Sequence, residues 1–316
     1  MTLSWPSLLM TLIYCIIPIY LFIKLWKNRS EDLFAWTLLA TLTVVYLSYM
    51  YRVGAWAMVF TGYYWRYFLL IALPLAIIKS YRQTKRRLLP GWRNLKNFFS
   101  LLAVGFICFI QIIGLYFSYK GSDLPECVEL DFPLQGSSYY IVQGGNNILL
   151  NHHHEISAQK YAIDIVKLNP WGFRCNTLYA PHLDNYNIFG TTVYSPCEGK
   201  IVRLVNGFND LPLNTMDPDH PAGNYLAIQI GSSNHIVILA HLMENSFLVT
   251  QGDLVTQGQP LAKVGNSGNT SEPHLHMHVV ESTTDDLLFD GQGIPMQFNG
   301  KFLIRNQVIR SLKAPY

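Results

Sequence analysis

Gly265-Asn-Ser-Gly-Asn-Thr-Ser-Glu-Pro-His274-Leu-His276-Met-His278 decides how the carboxy-terminal half of the chain is read. A turn rich in glycine and asparagine runs into an alternating segment, the pattern of a loop that feeds a β-strand. Alternate side chains of a strand share a face, so His274 and His276 emerge together with Cβ atoms about 7 Å apart. At that spacing one imidazole can hold a metal while its neighbour reaches a substrate oxygen or a reacting water.

Upstream, Tyr225-Leu-Ala-Ile-Gln-Ile230, Gly-Ser-Ser-Asn and His235-Ile-Val-Ile-Leu-Ala-His241 read as a hairpin. Further β-like runs lie at Lys200–Val205, Pro260–Val264 and His274–Val280, separated by Gly, Asn, Asp and Pro. Short strands with glycine-rich turns predict a mainly antiparallel β-domain. His241 ends a hydrophobic strand, and Asp164 follows apolar residues in Gln159-Lys-Tyr-Ala-Ile-Asp164. An apolar flank disfavours an unpaired carboxylate, so Asp164 calls for a cation. Each residue taken singly also has a plainer reading: a strand histidine is commonly a hydrogen-bonded core or surface group, and an aspartate can satisfy turn amides. His182, His220 and His235 fit no motif and read as surface residues. Aspartate and histidine together suit zinc, and no cysteine pair has zinc spacing.

The first third of the chain is different. Apolar stretches at Leu8–Leu25, Phe34–Tyr51, Tyr67–Ile78 and Phe98–Phe117 approach the roughly 20 residues that cross a bilayer, the third only with flanking aromatics such as Trp65. Half of the 316 residues are hydrophobic and 14% are charged, too apolar for an ordinary soluble protein. The first stretch lacks a basic leader and is expected to remain as a span. The basic run Lys79-Ser-Tyr-Arg82-Gln-Thr-Lys85-Arg86-Arg87, with Arg93 and Lys96, lies between apolar segments and reads as a cytoplasmic loop, not a nucleic-acid patch. With Lys24, Lys27 and Arg29 also inside, four spans return the chain to the outer side near Lys120. Of five cysteines, Cys15 and Cys108 read as packing residues, leaving one disulfide possible among Cys127, Cys175 and Cys197.

Leu239-Ala-His241-Leu, Gly252-Asp-Leu-Val-Thr-Gln-Gly258-Gln, Gly265-Asn-Ser-Gly268 and Pro273-His-Leu-His276 occur in this order. Together they resemble the signature of the lysostaphin-like (LytM, M23) zinc peptidases. The resemblance runs from about Ala158 to Val280 and does not touch the membrane region. It implies a Zn2+ cofactor held by Asp164 and His276, with His241 and His274 as catalytic groups beside the reacting water and carbonyl, and the peptide cross-links of bacterial peptidoglycan as substrate. There is neither a His-Glu-x-x-His helix nor a Gly-x-Ser-x-Gly elbow, so proton transfer falls to the histidines.

Two positions depart from that pattern. The remaining ligand of the family is usually a histidine four residues before the aspartate, where this chain has Lys160, and an ammonium cannot ligate zinc. Asn151-His152-His153-His154 offers a replacement; the chain resembles a subgroup with Asn-x-His before Gln-Lys/Arg-Tyr-Ala-Leu/Ile-Asp, which favours His153 and leaves His152 and His154 open. His278 stands where the family often has Glu, and its role is left open between orienting a ligand and lying exposed.

The sequence thus predicts a multi-domain chain. Residues 1–120 are a membrane anchor of about four helices, 121–150 a linker or domain edge, 151–284 a lysostaphin-like zinc peptidase domain outside the cytoplasm, and 285–316 an extension of no assigned role. A zinc endopeptidase of the cell wall is the favoured function. The alternative is an inactive domain that binds the wall or regulates a hydrolase. A biotinyl/lipoyl-like carrier, suggested by the Gly-Asp-x-Val turn and by Val193-Tyr-Ser-Pro-Cys-Glu-Gly199, lacks the paired histidines' rationale, and a transporter lacks internal charges.

Overall fold

Backbone amides in an apolar stretch have no water to bond and close on themselves as helix. The computed structural model shows this in helices Ile17–Trp26 (preceded by a π-helical turn, Leu12–Ile16), Leu33–Val53, Trp65–Gln83 and Leu95–Lys120. It describes residues 9–29, 33–58, 61–84, 95–120, 127–177, 180–281 and 288–311. The basic loop expected in the cytoplasm falls largely on residues 85–94, outside the described residues.

Among the described residues three helical segments, Leu9–Trp26, Leu33–Val53 and Phe98–Lys120, are long and apolar enough to cross a membrane. About four were expected. Trp65–Gln83 forms the additional helix, with 19 residues and an internal Pro74, but Arg66, Lys79 and Arg82 keep it out of that set. Helices in this unit turn large apolar side chains outward, including Ile71, Phe106 and Phe109. Polar contacts lie inside: Trp36 Nε1 donates to Ser80 Oγ at 2.9 Å and Tyr46 to the Ile13 carbonyl at 2.6 Å. That inversion is what lipid solvent selects.

Residues 120–316 form a second unit. Its strands are β1 (Val128–Leu130), β2 (Ser137–Gln143), β3 (Ile163–Leu168), β4 (Thr192–Tyr194), β5 (Gly199–Val205), β6 (Asn224–Ile230), β7 (His235–Leu242), β8 (Leu254–Val255), β9 (Pro260–Lys263), β10 (Leu275–Glu281), β11 (Gln292–Ile294), β12 (Met296–Phe298), β13 (Lys301–Phe302) and β14 (Val308–Ser311). The main sheet runs β14-β2-β3-β10-β7-β6-β5-β8, with β11 also on β10. Every pairing in it is antiparallel. The expected hairpin is β6–β7. Residues 128–143, expected as linker or domain edge, supply β1 and β2, and Tyr139 and Ile141 of β2 are fully buried. Residues 288–311 supply β11 to β14.

The two faces of the sheet differ. Ile163, Ile165, Val237, Leu239, Leu275, Met277 and Val279 build the large core, where each buried aliphatic side chain contributes about 1.5–3 kcal/mol. The opposite face mixes Ala158, Ala222, Ala227 and Ala240 with Tyr225, Ile236, Ile238 and Val280, and the alanines leave room for imidazoles. All five cysteines are free, so no disulfide joins Cys127, Cys175 and Cys197. Cys197 lies within the main core, and Cys175 donates to the Thr177 carbonyl.

Candidate metal centre

Antiparallel register puts Asp164 of β3 directly opposite His276 of β10, and His276 opposite Ala240 of β7. Paired residues share a face, as do residues two apart, so Asp164, His274, His276 and His278 project together. Alternation would send His241, one residue past Ala240, into the core. Its φ of +60° breaks the alternation and brings its ring 4.7 Å from that of His274 and 5.8 Å from that of His276. A non-glycine residue held left-handed costs about 1–3 kcal/mol.

Asp164 is the hub. Its Oδ1 lies 3.0 Å from His276 Nδ1 and 3.7 Å from His274 Nε2, and its Oδ2 lies 3.0 Å from His153 Nε2. His153 sits on a short 3-10 turn, His152–Glu155, capped by Asn151, whose Oδ1 accepts from the His153 amide at 3.2 Å. The Asn151 amide donates to the carbonyls of Gly145, Lys160 and Ala162, which ties the turn to β3. One nitrogen of His152 also comes within 4.8 Å of ligand atoms of His153 and Asp164. His154 bonds the Lys160 backbone instead. The Lys160 ammonium lies 5.6 Å from the Tyr161 ring.

The other histidines are fixed from behind. His241 Nδ1 faces the Ser267 carbonyl at 2.9 Å, and His274 Nδ1 faces the Glu272 carbonyl at 2.9 Å and the Thr270 hydroxyl at 3.1 Å. Both rings therefore carry the proton on Nδ1 and turn Nε2 away from these acceptors. His276 Nε2 lies 2.9 Å from Nδ1 of buried His278, which orients the ring with Nδ1 toward Asp164. Glycine makes the Ser267 contact possible: a Cβ on Gly268, at φ +88°, would meet Gly223 N at 2.4 Å.

Burial opposes ionisation of Asp164, but the charges of His153 and His274 and hydrogen bonds from His153 and His276 hold its carboxyl well below the usual range. Burial lowers His276 to about 4 despite Asp164, and pushes His241 well below its ordinary value, with His274 and His276 adding to the effect. Asp164 is thus held as a carboxylate beside the neutral rings of His241 and His276, and deprotonated groups are what a metal needs.

The five expected site residues, His153, Asp164, His241, His274 and His276, thus lie in one cluster. His182 caps a turn on the surface, His220 pairs with Asp217 at 2.9 Å in an exposed loop, and His235 starts β7. Sequence reasoning missed Arg174, whose guanidinium clasps Glu272 with bonds of 2.7 and 3.0 Å and so fixes the loop before His274. No local pattern marks it, because its partner is 98 residues away.

Residues 184–287 match the family model described as Peptidase family M23. The match includes His241, His274 and His276 and begins after His153 and Asp164. Peptidoglycan DD-endopeptidase ShyA of Vibrio cholerae serotype O1 is 34% identical over 104 residues, 32% of this chain and 20% of that protein. ShyB of the same organism is 34% identical over 92 residues, 29% of this chain and 18% of that protein. The chain thus spans about a fifth of the length of these curated relatives. Among solved structures, a zinc containing peptidase from Vibrio cholerae is 21% identical, covering 59% of this chain and 40% of the other, with a TM-score of 0.30. The catalytic domain of lysostaphin from Staphylococcus simulans is 22% identical, covering 39% and 69%, with a TM-score of 0.26. The chain carries a peptidase family M23 domain following apolar helices.

Proposed function

We propose that this chain is a membrane-anchored zinc endopeptidase that hydrolyses peptide bonds of bacterial peptidoglycan. The observation that carries the reading is the convergence of His153 and His276 on the two oxygens of Asp164, each at 3.0 Å. Donors around a tetrahedral zinc with bonds of roughly 2.0–2.1 Å stand about 3.3 Å apart, and each of the two imidazole nitrogens keeps close to that spacing from an Asp164 oxygen. His153, Asp164 and His276 would hold it. Bound there, zinc would supply a Lewis acid able to polarise the scissile carbonyl and to acidify a water.

The chain's own groups do the rest. Nε2 of His241 or His274 takes a proton as the water oxygen bonds to the carbonyl carbon, and the protonated ring then donates to the oxyanion or to the departing amine as the C–N bond breaks. The Ser267 and Glu272 carbonyls hold each ring in the tautomer this requires. Positive residues favour the cytoplasmic side, so the basic residues between Lys79 and Lys96 support a topology with the start of helix Leu95–Lys120 inside and the peptidase domain outside. The substrate class comes from the endopeptidase names of the relatives.

Zinc stoichiometry on the purified full chain in detergent tests the reading. We expect one zinc per chain, lost in His153→Ala, Asp164→Ala and His276→Ala, with release of peptide fragments from peptidoglycan by the parent alone. A folded parent without specific zinc would favour the wall-binding or regulatory alternative; zinc retained only in His153→Ala would move that ligand to His152.

A further inference from the structure

His276 and Asp164 are fixed by the ladder of a sheet, whereas His153 stands on a four-residue 3-10 turn with no ladder of its own. Short turns of this kind open at low cost unless something outside holds them. Asn151 supplies part of the hold. The rest comes from far along the chain.

Arg305 reaches into the segment before the turn. Its Nε donates to the Val142 carbonyl and Nη1 to the Leu149 carbonyl, both at 2.9 Å, while its amide donates to the Gly144 carbonyl at 3.1 Å. Nη2 donates to Gln143 Oε1, the same oxygen that accepts the His152 amide at 3.3 Å. One planar guanidinium thus closes the 143–150 loop and abuts the turn itself, a fork geometry that a lysine cannot reproduce.

Strand β11 holds the other flank. It pairs with β10 through Val279 opposite Ile294, and its Gly293 lies so close that a Cβ there would stand 2.8 Å from the Ser157 carbonyl oxygen and 3.0 Å from the Lys160 amide. Ser157 Oγ donates to the Gly291 carbonyl at 3.0 Å, and Gln159 donates to the Leu288 carbonyl at 3.1 Å.

We propose that Arg305 and strand β11 are positioning elements of the metal centre, clamping residues 143–160 from both sides so that His153 meets Asp164. The extension beyond β10 thereby completes a site whose usual ligand position is occupied by Lys160. The inference rests on the zinc site proposed above.

The test is zinc affinity of the full chain in detergent, read by competition with a chelator, together with thermal midpoints of the metal-free and zinc-loaded forms. Arg305→Met and Gly293→Ala are each expected to weaken zinc roughly 10- to 100-fold, the usual effect of losing a group that orients a ligand. The exposed Arg310→Ala serves as control and keeps the parent affinity. The midpoint should fall further with zinc than without it, because weakened binding removes stabilisation only from the loaded form. Affinities within about twofold of the parent, or equal falls in both midpoints, overturn the proposal. Should Arg305→Met fail to fold, Gly293→Ala, which adds one methyl, carries the same expectation. A parent that takes up no zinc overturns the metal site and this proposal with it, a result distinct from a zinc-binding parent with unaffected variants.

Discussion

His276 and His153 approach the same carboxylate at the same 3.0 Å, yet one belongs to a strand in the middle of the sheet and the other to a short turn outside it. The strand side is held by main-chain pairing on both edges of β10 and by His278 behind the ring. On the turn side the hold comes from side chains: Asn151, Gln143 and Arg305. Equal distances therefore conceal unequal robustness. Ladder bonds break only when the sheet opens, whereas a side-chain clamp fails with a single substitution.

The largest expected effect removes the point where the two sides meet. Asp164→Ala should bind no stoichiometric zinc by elemental analysis and release no peptide fragments, and a variant that retains the metal would break the comparison at its centre. Next come His241→Ala and His274→Ala, which leave both sides standing: we expect zinc to be retained and turnover to fall about 10²- to 10⁴-fold, and loss of zinc would show that these rings hold the metal. Asn151→Ala strips donors from three carbonyls and the cap from the turn. It should cost roughly 1–3 kcal/mol in denaturant unfolding and weaken zinc, and an unchanged zinc affinity would show that the turn needs no cap.

A smaller effect concerns pH. Folded, metal-free His276 titrates near 4 because burial disfavours its charge, whereas an unfolded histidine titrates near 6.5. As pH falls from about 6.5 to about 4 the unfolded chain takes up the proton first, so the metal-free protein should lose stability across that window. A flat profile would mean that the strand side is more open to water than its burial implies. The smallest effect is that of Lys160→Ala, which should leave zinc affinity unchanged because Lys160 bonds Asn151 and His154 through its backbone.

The same contrast explains what could be read in the sequence. Pro273-His-Leu-His276 announced a strand with two imidazoles on one face, because period-two alternation is local. Asp164 was legible from its apolar flank. The turn side was legible as a run of three histidines in which the Asn-x-His resemblance favoured His153, whereas the arginine that braces it lies more than 150 residues on and left no local mark. Strand β2 was hidden because Gly136, Gly144 and Gly145 frame it like a linker. The helix at Trp65–Gln83 was read by its apolar stretch, but its cations set it apart from the other three. His241 was expected on a strand, yet nothing local signalled that its backbone would turn left-handed to aim it.

The distance along the chain between the two sides also orders events in time. Asp164 and His276 are 112 residues apart, and Tyr140 meets Asn306 166 residues later. A polypeptide emerging amino end first displays His153 and Asp164 long before β10 exists to face them, and two donors retain zinc poorly. On the proposed topology, metal capture then waits until the sheet has closed beyond the membrane. The enzyme would be born inert, drawing its ion from the compartment where it works and not from the one where it is made.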